Sequence, residues 1–285
     1  MAEDAATGDG HGPGGAEGAP LLVAAFRGWN DAADSASDAV AHLVQEWDAQ
    51  PVLELDPEPY YDFQVNRPEV VVGEEGGREL VWPGTRVLRA VVDDRVVLLV
   101  DGTEPSTRWR AFCAEILAVA AAHGVQRVLT LAALLTDVPH TRPIPVSVTT
   151  QDLGRAQEWG LEVSSYEGPT GIVGVLQHEA AATGVAGVSL WAAVPHYVAQ
   201  PPNPKSTLAL LGRLEDLTGL SSPVAELGEE AEAWQRGVDE LAGDDEEIAE
   251  YVTQLEQARD TADLPEASGE AIAREFERYL RRRDR

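Results

Sequence analysis

The sequence predicts an α/β protein: a mainly parallel sheet covered by helices on both faces, followed by an acidic C-terminal helical extension. Three observations carry this. Short apolar runs alternate with amphipathic helical stretches as far as about residue 220, the pattern of strand-helix units. Several of the runs are apolar throughout, as strands buried on both faces must be. From Pro223 onward the strand signals stop and acidic, helix-forming sequence takes over. The expected division is a disordered tail over residues 1–19, an α/β domain over 20–222 and a helical extension over 223–285.

The tail, MAEDAATGDGHGPGGAEGAP, is small and acidic residues with nothing to bury. Leu21 to Phe26 is short and apolar enough for a buried strand. Ala36, Ala39, Val40, Leu43, Val44 and Trp47 then fall on one helix face. Between them stand Arg27, Gly28, Trp29, Asn30 and Asp31, a polar and aromatic loop where open α/β sheets place ligands. Asn30 or Asp31 can also cap the helix. Val52 to Leu55 is a second strand, leading into DPEPYYDFQVNRP. Tyr60, Tyr61 and Arg67 in that segment support two readings, a loop pinned to the core by its aromatics or an oligomer or ligand contact.

Residues 69–72, 79–82, 85–91 and 95–100 are β-rich runs parted by the turn signals EEGG, PG and DD. They predict a meander on the sheet edge. Asp101 to Pro105 is a strand-end loop carrying Glu104. A helix begins near Ser106 or Thr107 and stops at Gly124. Val125 to Leu135 is a buried strand whose loop, TDVPHTRP, holds Asp137, His140 and Arg142. After a strand over 146–150, the segment GPTGIVGVLQHEAAATG opens another helix with glycines 168, 171 and 174 on one face. Close helix-sheet packing explains them, and so does an anion resting on the helix N-terminus. Val185 to Val194 is the last strand. It ends in PHYVAQPPNPKST, with His196, Asn203 and Lys205, before a helix over 206–218.

Past Pro223 three apolar stripes at helical spacing are expected: Trp234, Val238 and Leu241; then Ile248, Tyr251, Val252 and Leu255; then Ile272, Phe276, Tyr279 and Leu280. Residues 226–285 hold 19 acidic and 8 basic side chains. Such narrow stripes suit an arm packed on the main domain or on a neighbouring subunit. The final RRRDR places cations at a helix C-terminus, where the macrodipole favours them.

A net charge of −28 repels phosphate backbones and anionic membranes, so neither nucleic acid nor a membrane is an expected partner. No run of 18 uncharged apolar residues occurs, and the N-terminus lacks the pattern of a secretory signal. A cytoplasmic location is the expectation. The single cysteine, Cys113, reads as a buried helix residue. There is no GxSxG, CxxC, HExxH or P-loop sequence, and no metal or cofactor is predicted. Strand ends meeting on one rim would gather Arg27, Trp29, Asn30, Asp31, Glu104, His140, Arg142, His196, Asn203 and Lys205. Asp31 with Glu104, or either histidine, has the chemistry for acid and base roles. Lys205, the one lysine of the chain, could bind an anion or cap its loop.

AFRGWNDAADSASDAVAHL, YYDFQVNRP, TGIVGVL and SLWAAVPHYVAQPPNPKST together resemble the proteasome-assembly-chaperone (PAC2) family in its actinobacterial branch. The likeness spans about Pro20 to Leu220. It implies the phosphorylase/hydrolase-like α/β fold, trimeric or larger assemblies, and an assembly or binding role with proteasome subunits as candidate partners. Archaeal relatives that bind proteasome rings are expected to end in a hydrophobic-Tyr-any residue tail. This chain ends Arg283, Asp284, Arg285, with Tyr279 six residues from its end. Two readings follow: a non-catalytic interaction protein anchored through Trp29, Tyr60, Tyr61 and Arg67, or an enzyme or binder of a small anionic or nucleoside-like metabolite at the rim.

Overall fold

The computed structural model describes residues 18–73 and 76–263. The residues expected to form the N-terminal tail, apart from its last two, and the third C-terminal helix lie outside that range. An eight-stranded sheet runs in the order β2-β5-β6-β1-β7-β10-β8-β9. Its middle strands, β6 (Arg95–Thr103), β1 (Leu21–Arg27), β7 (Arg127–Thr136) and β10 (Ala186–Pro195), are mutually parallel. Towards the edges, β5 (Thr85–Val92) and β2 (Gln50–Glu54) pair antiparallel on one side. On the other, β8 (Val146–Thr150) runs antiparallel to β10, and β9 (Glu162–Val163) parallel to β8.

Side-chain alternation divides the core into two layers. Leu21, Val23 and Ala25 point to the layer filled by α1 (Ser35–Glu46) and α5 (Pro204–Thr218). Leu22, Ala24 and Phe26 point to the layer of α2 (Trp109–Ala122) and α4 (Ile172–Ala182). Every one of these β1 residues is essentially inaccessible, as a strand sandwiched between helices requires.

The expected meander is corrected in one respect. β5 and β6 do form a hairpin in the main sheet, turning at Asp93 and Asp94, which both take positive φ. β3 (Glu69–Val72) and β4 (Arg78–Val81) instead pair only with each other as a separate ribbon. All eight of its residues are exposed. Two further elements, α3 (Leu153–Trp159) and β9, occupy a stretch where the polar sequence carries no periodic signal.

Beyond α5, the chain forms α6 (Ala225–Gly243), packed on α5, and α7 (Glu246–Asp263). Asp245 starts α7 by accepting hydrogen bonds from the amides of Glu247 (2.9 Å) and Ile248 (3.2 Å). Few residues of these helices are buried: Ala231, Val238 and Ala242 on α6 and Val252 on α7.

Candidate functional site

Because β6, β1, β7 and β10 are parallel, their C-terminal ends share one rim, and the loops that follow carry most of the candidate residues. The rim is stepped. β1 pairs with β7 only from Leu21↔Arg127 to Ala24↔Thr130, whereas β10 follows β7 as far as Pro195↔Thr136. The loop after β1 leans onto the protruding part of β7, where the Asn30 carbonyl accepts from the Ala133 amide at 2.8 Å.

Two carboxylates of this loop cluster are already engaged. Asp31 accepts from the amides of Ala36 (2.7 Å) and Ser37 (3.3 Å) and so caps α1, across the intervening turn Ala32–Asp34. Burial pushes its carboxyl up to about 6, with hydrogen bonds from Ser37 and Ala36 opposing the rise. Glu104 Oε1 accepts from the Ile172 amide at 2.8 Å, and its own amide donates to the Arg27 carbonyl at 2.9 Å. The anion on the N-terminus of α4 is therefore supplied by the chain itself. Gly171 is required here. A Cβ on it would lie 1.7 Å from Asn30 Oδ1 and 2.8 Å from Glu104 Oε1. Asn30 Oδ1 is buried without a hydrogen-bond partner. Arg27 stands to one side, paired with Asp101 at 2.9 Å, and Arg86 holds the other oxygen of Asp101 at 2.7 Å.

The candidates from the other two loops face the C-terminal helices instead. His140 is buried; its Nδ1 meets the Tyr197 hydroxyl at 2.7 Å and its Nε2 the Asp239 carboxylate of α6 at 2.9 Å. Burial holds this imidazole below the usual histidine range, with the Asp239 hydrogen bond opposing. Lys205 Nζ donates to the His140 carbonyl and to Gln235 Oε1 of α6, the latter at 2.7 Å, and burial lowers its ammonium. Arg142 is bidentate to Asp260 of α7, at 2.8 Å on both arms, and reaches Glu256 at 3.2 Å. His196 pairs with Asp137 at 3.3 Å and stacks edge-on against Tyr251 of α7. Asn203 caps α5 through its Oδ1, 3.0 Å from the Ser206 amide. His140, Arg142, His196 and Lys205 form a clasp that holds the helical arm on the rim.

Tyr60 and Tyr61 are buried. Tyr60 donates to Glu115, and burial together with that carboxylate pushes its hydroxyl up to about 12. Tyr61 bonds Thr85 Oγ1 at 2.8 Å and donates to the Thr103 carbonyl at 2.9 Å. Both pin their loop to the core. Arg67 is exposed nearby.

A groove of about 1080 Å³ opens beside α4, on the face of the sheet opposite α5. Trp29, Leu134 and Leu135 of the stepped rim form one wall. Trp191 and Ser189 line the floor, and the strap carrying Tyr166 and Gly168–Gly171 forms the far side with Val175, His178 and Glu179 of α4. Of the candidates expected at the rim, only Trp29 and Asn30 reach it. Trp191, Leu134, Leu135 and Tyr166 were not foreseen. The signal for Trp191 lies in its parity, since its even-numbered neighbours Leu190 and Ala192 fill the α5 layer and leave Trp191 to face the other way. No cluster of metal-ligating side chains occurs among the described residues.

The model of the PAC2 family matches residues 25–242. The chain belongs to the PAC2 family. A PAC2 family protein of Streptomyces avermitilis is 57% identical, with a TM-score of 0.76 over 82% of this chain and 99% of that one. The proteasome-assembly chaperone homologue of Mycobacterium tuberculosis is 50% identical, with a TM-score of 0.74 over 81% and 99%. Pyrococcus furiosus PbaB, an archaeal proteasome activator, shares the fold at 17% identity, with a TM-score of 0.61 over 78% and 93%. Comparison with curated proteins gives no match. The PAC2 model ends inside α6, so both the stepped rim and the His140–Asp239 clasp fall within the family's extent.

Proposed function

We propose that this PAC2 protein is a non-catalytic interaction protein, an assembly-chaperone-like factor that works in the cytoplasm as a homo-oligomer, a trimer, with proteasome subunits as its partners. One observation carries the reading: the rim groups expected to supply acid-base or anion-binding chemistry are spent on internal contacts. Asp31 caps α1, Glu104 caps α4, and His140 and Lys205 clasp α6. One part of the surface is apolar as well as exposed. The β3–β4 ribbon exposes Val70, Val72, Leu80 and Val81 beside Trp82, and a two-stranded ribbon with both faces in water is marginal without a partner. The likeness to a proteasome-assembly chaperone homologue of Mycobacterium tuberculosis, at 50% identity, supports the choice of partner. The Glu104 carboxylate at α4 weighs against an anionic metabolite in that place.

The test is capture of the full chain from its native cell, alongside a thermal-shift screen of nucleotides, phosphates and amino acids. Proteasome subunits are expected to co-purify with the parent and to be lost from a Val72→Lys, Leu80→Lys ribbon variant that melts like the parent. A metabolite that raises the melting temperature by several degrees, with the effect abolished in Asn30→Ala, would overturn the reading.

A further inference from the structure

The groove beside α4 has a specific chemistry and no occupant among the described residues. Its walls are Trp29, Leu134, Leu135, Trp191 and Tyr166, with Trp29 66% exposed. Its volume of about 1080 Å³ stands at the top of the ~300–1,000 Å³ of small-ligand sites and is large enough for a chain segment presenting several side chains. Glu179 of α4 lines it beside Arg110 and His178, so its polar edge carries both signs while its walls are aromatic and aliphatic. The matching ligand is an apolar helical face.

We propose that the groove docks residues 264–285 of the chain itself. Ile272, Phe276, Tyr279 and Leu280 recur at the spacing of one helix face, the pattern with which amphipathic helices fill hydrophobic grooves. Residues 264–285 carry six arginines and five carboxylates. Unlike the acidic stripes that precede it, this stretch is therefore not repelled by a chain whose net charge is −28. The tether is also suited. Tyr251 bonds Asp137 and Arg142 holds Glu256 and Asp260, so α7 is fastened along the same rim whose Leu134 and Leu135 wall the groove. The nine residue steps from Asp263 to Ile272 span at most about 30 Å. Docking there would cover Trp29. The inference goes beyond the assembly role and holds whichever protein the chain assists.

The experiment is disulfide trapping in the full chain. Leu134→Cys is paired with Phe276→Cys, with Val72→Cys and Phe276→Cys as the control on the remote ribbon. Leu134 and Val72 are both exposed, so both substitutions leave the core intact. Cys113 is buried and its thiol is pushed up to about 12, which keeps it out of the exchange. Under mild oxidation by glutathione disulfide, the groove pair is expected to close at least tenfold faster than the control. Changing Arg281, Arg282 and Arg283 to Glu is expected to remove most of that advantage. A second pair, Tyr166→Cys with Tyr279→Cys, guards against a single badly oriented cysteine. The product's mass separates docking within one chain from docking onto a second copy, and either supports the proposal. Equal rates at groove and ribbon, or no closure at either groove pair in protein of native circular dichroism, would overturn it.

Discussion

At the scale of single residues, the junction of β1, β6 and α4 is closely packed. Gly171 packs under the Asn30 amide and the Glu104 carboxylate. Gly171→Ala is therefore expected to cost about 1–3 kcal/mol, since the added methyl forces neighbouring groups aside. The measurement is chemical denaturation, and an unchanged midpoint would show that the amide moves freely. Asp31 offers a pH test. Its carboxyl is raised from 3.8 to about 6 by burial, so it favours the fold only while protonated. That contribution is complete below about 4 and is lost as pH rises through about 6. Asp31→Asn keeps an oxygen to accept from Ala36 and Ser37 but carries no charge. Its melting temperature is expected to gain on the parent's between about pH 4 and 7. A constant difference across that range would mean that ionised Asp31 bears no burial cost.

At the scale of elements, the clasp predicts local rather than global unfolding. α6 and α7 bury few apolar residues, so their attachment leans on polar contacts from His140, Arg142 and Lys205. The hydrogen bonds to Asp260 raise the Arg142 guanidinium further above its usual range. Arg142→Ala is expected to speed amide hydrogen exchange severalfold over 246–263 and to leave α1 and α4 unchanged. Uniform acceleration across the chain would contradict this. The same elements show what could be read from sequence. β1 and α1 were legible because local periodicity decides them: an uninterrupted apolar run, then an i, i+4 stripe. The β3–β4 ribbon was half legible, because β-rich runs reveal strands but not which sheet they join. The site was less so. Glu104 meets Ile172 at a separation of 68 residues, and His140 meets Asp239 at 99. Nothing local distinguishes a carboxylate that will cap a distant helix from one that will face solvent, so residues expected to converge on one site are divided between two structural tasks.

At the scale of the whole molecule, charge and apolar surface pull against each other. Copies at −28 repel one another, while the exposed valines and leucines of the ribbon favour contact. Screening removes the first and leaves the second. Self-association, followed by sedimentation, is therefore expected to strengthen as sodium chloride rises from about 0.05 to 0.5 M, and the ribbon variant Val72→Lys, Leu80→Lys is expected to lose that response. Association that weakens with salt would place the contact on charged surface instead. The stepped rim has a consequence of another kind. The wall beneath Trp29 exists because β7 and β10 outrun the pairing of β1, ending at Thr136 and Pro195. Each residue added to or removed from such a strand shifts the wall by about 3.3 Å and also turns every later side chain to the opposite face. A two-residue change, about 6.6 Å, keeps that facing, so it would alter the depth of the groove while leaving the side chains beyond it on their own sides of the sheet.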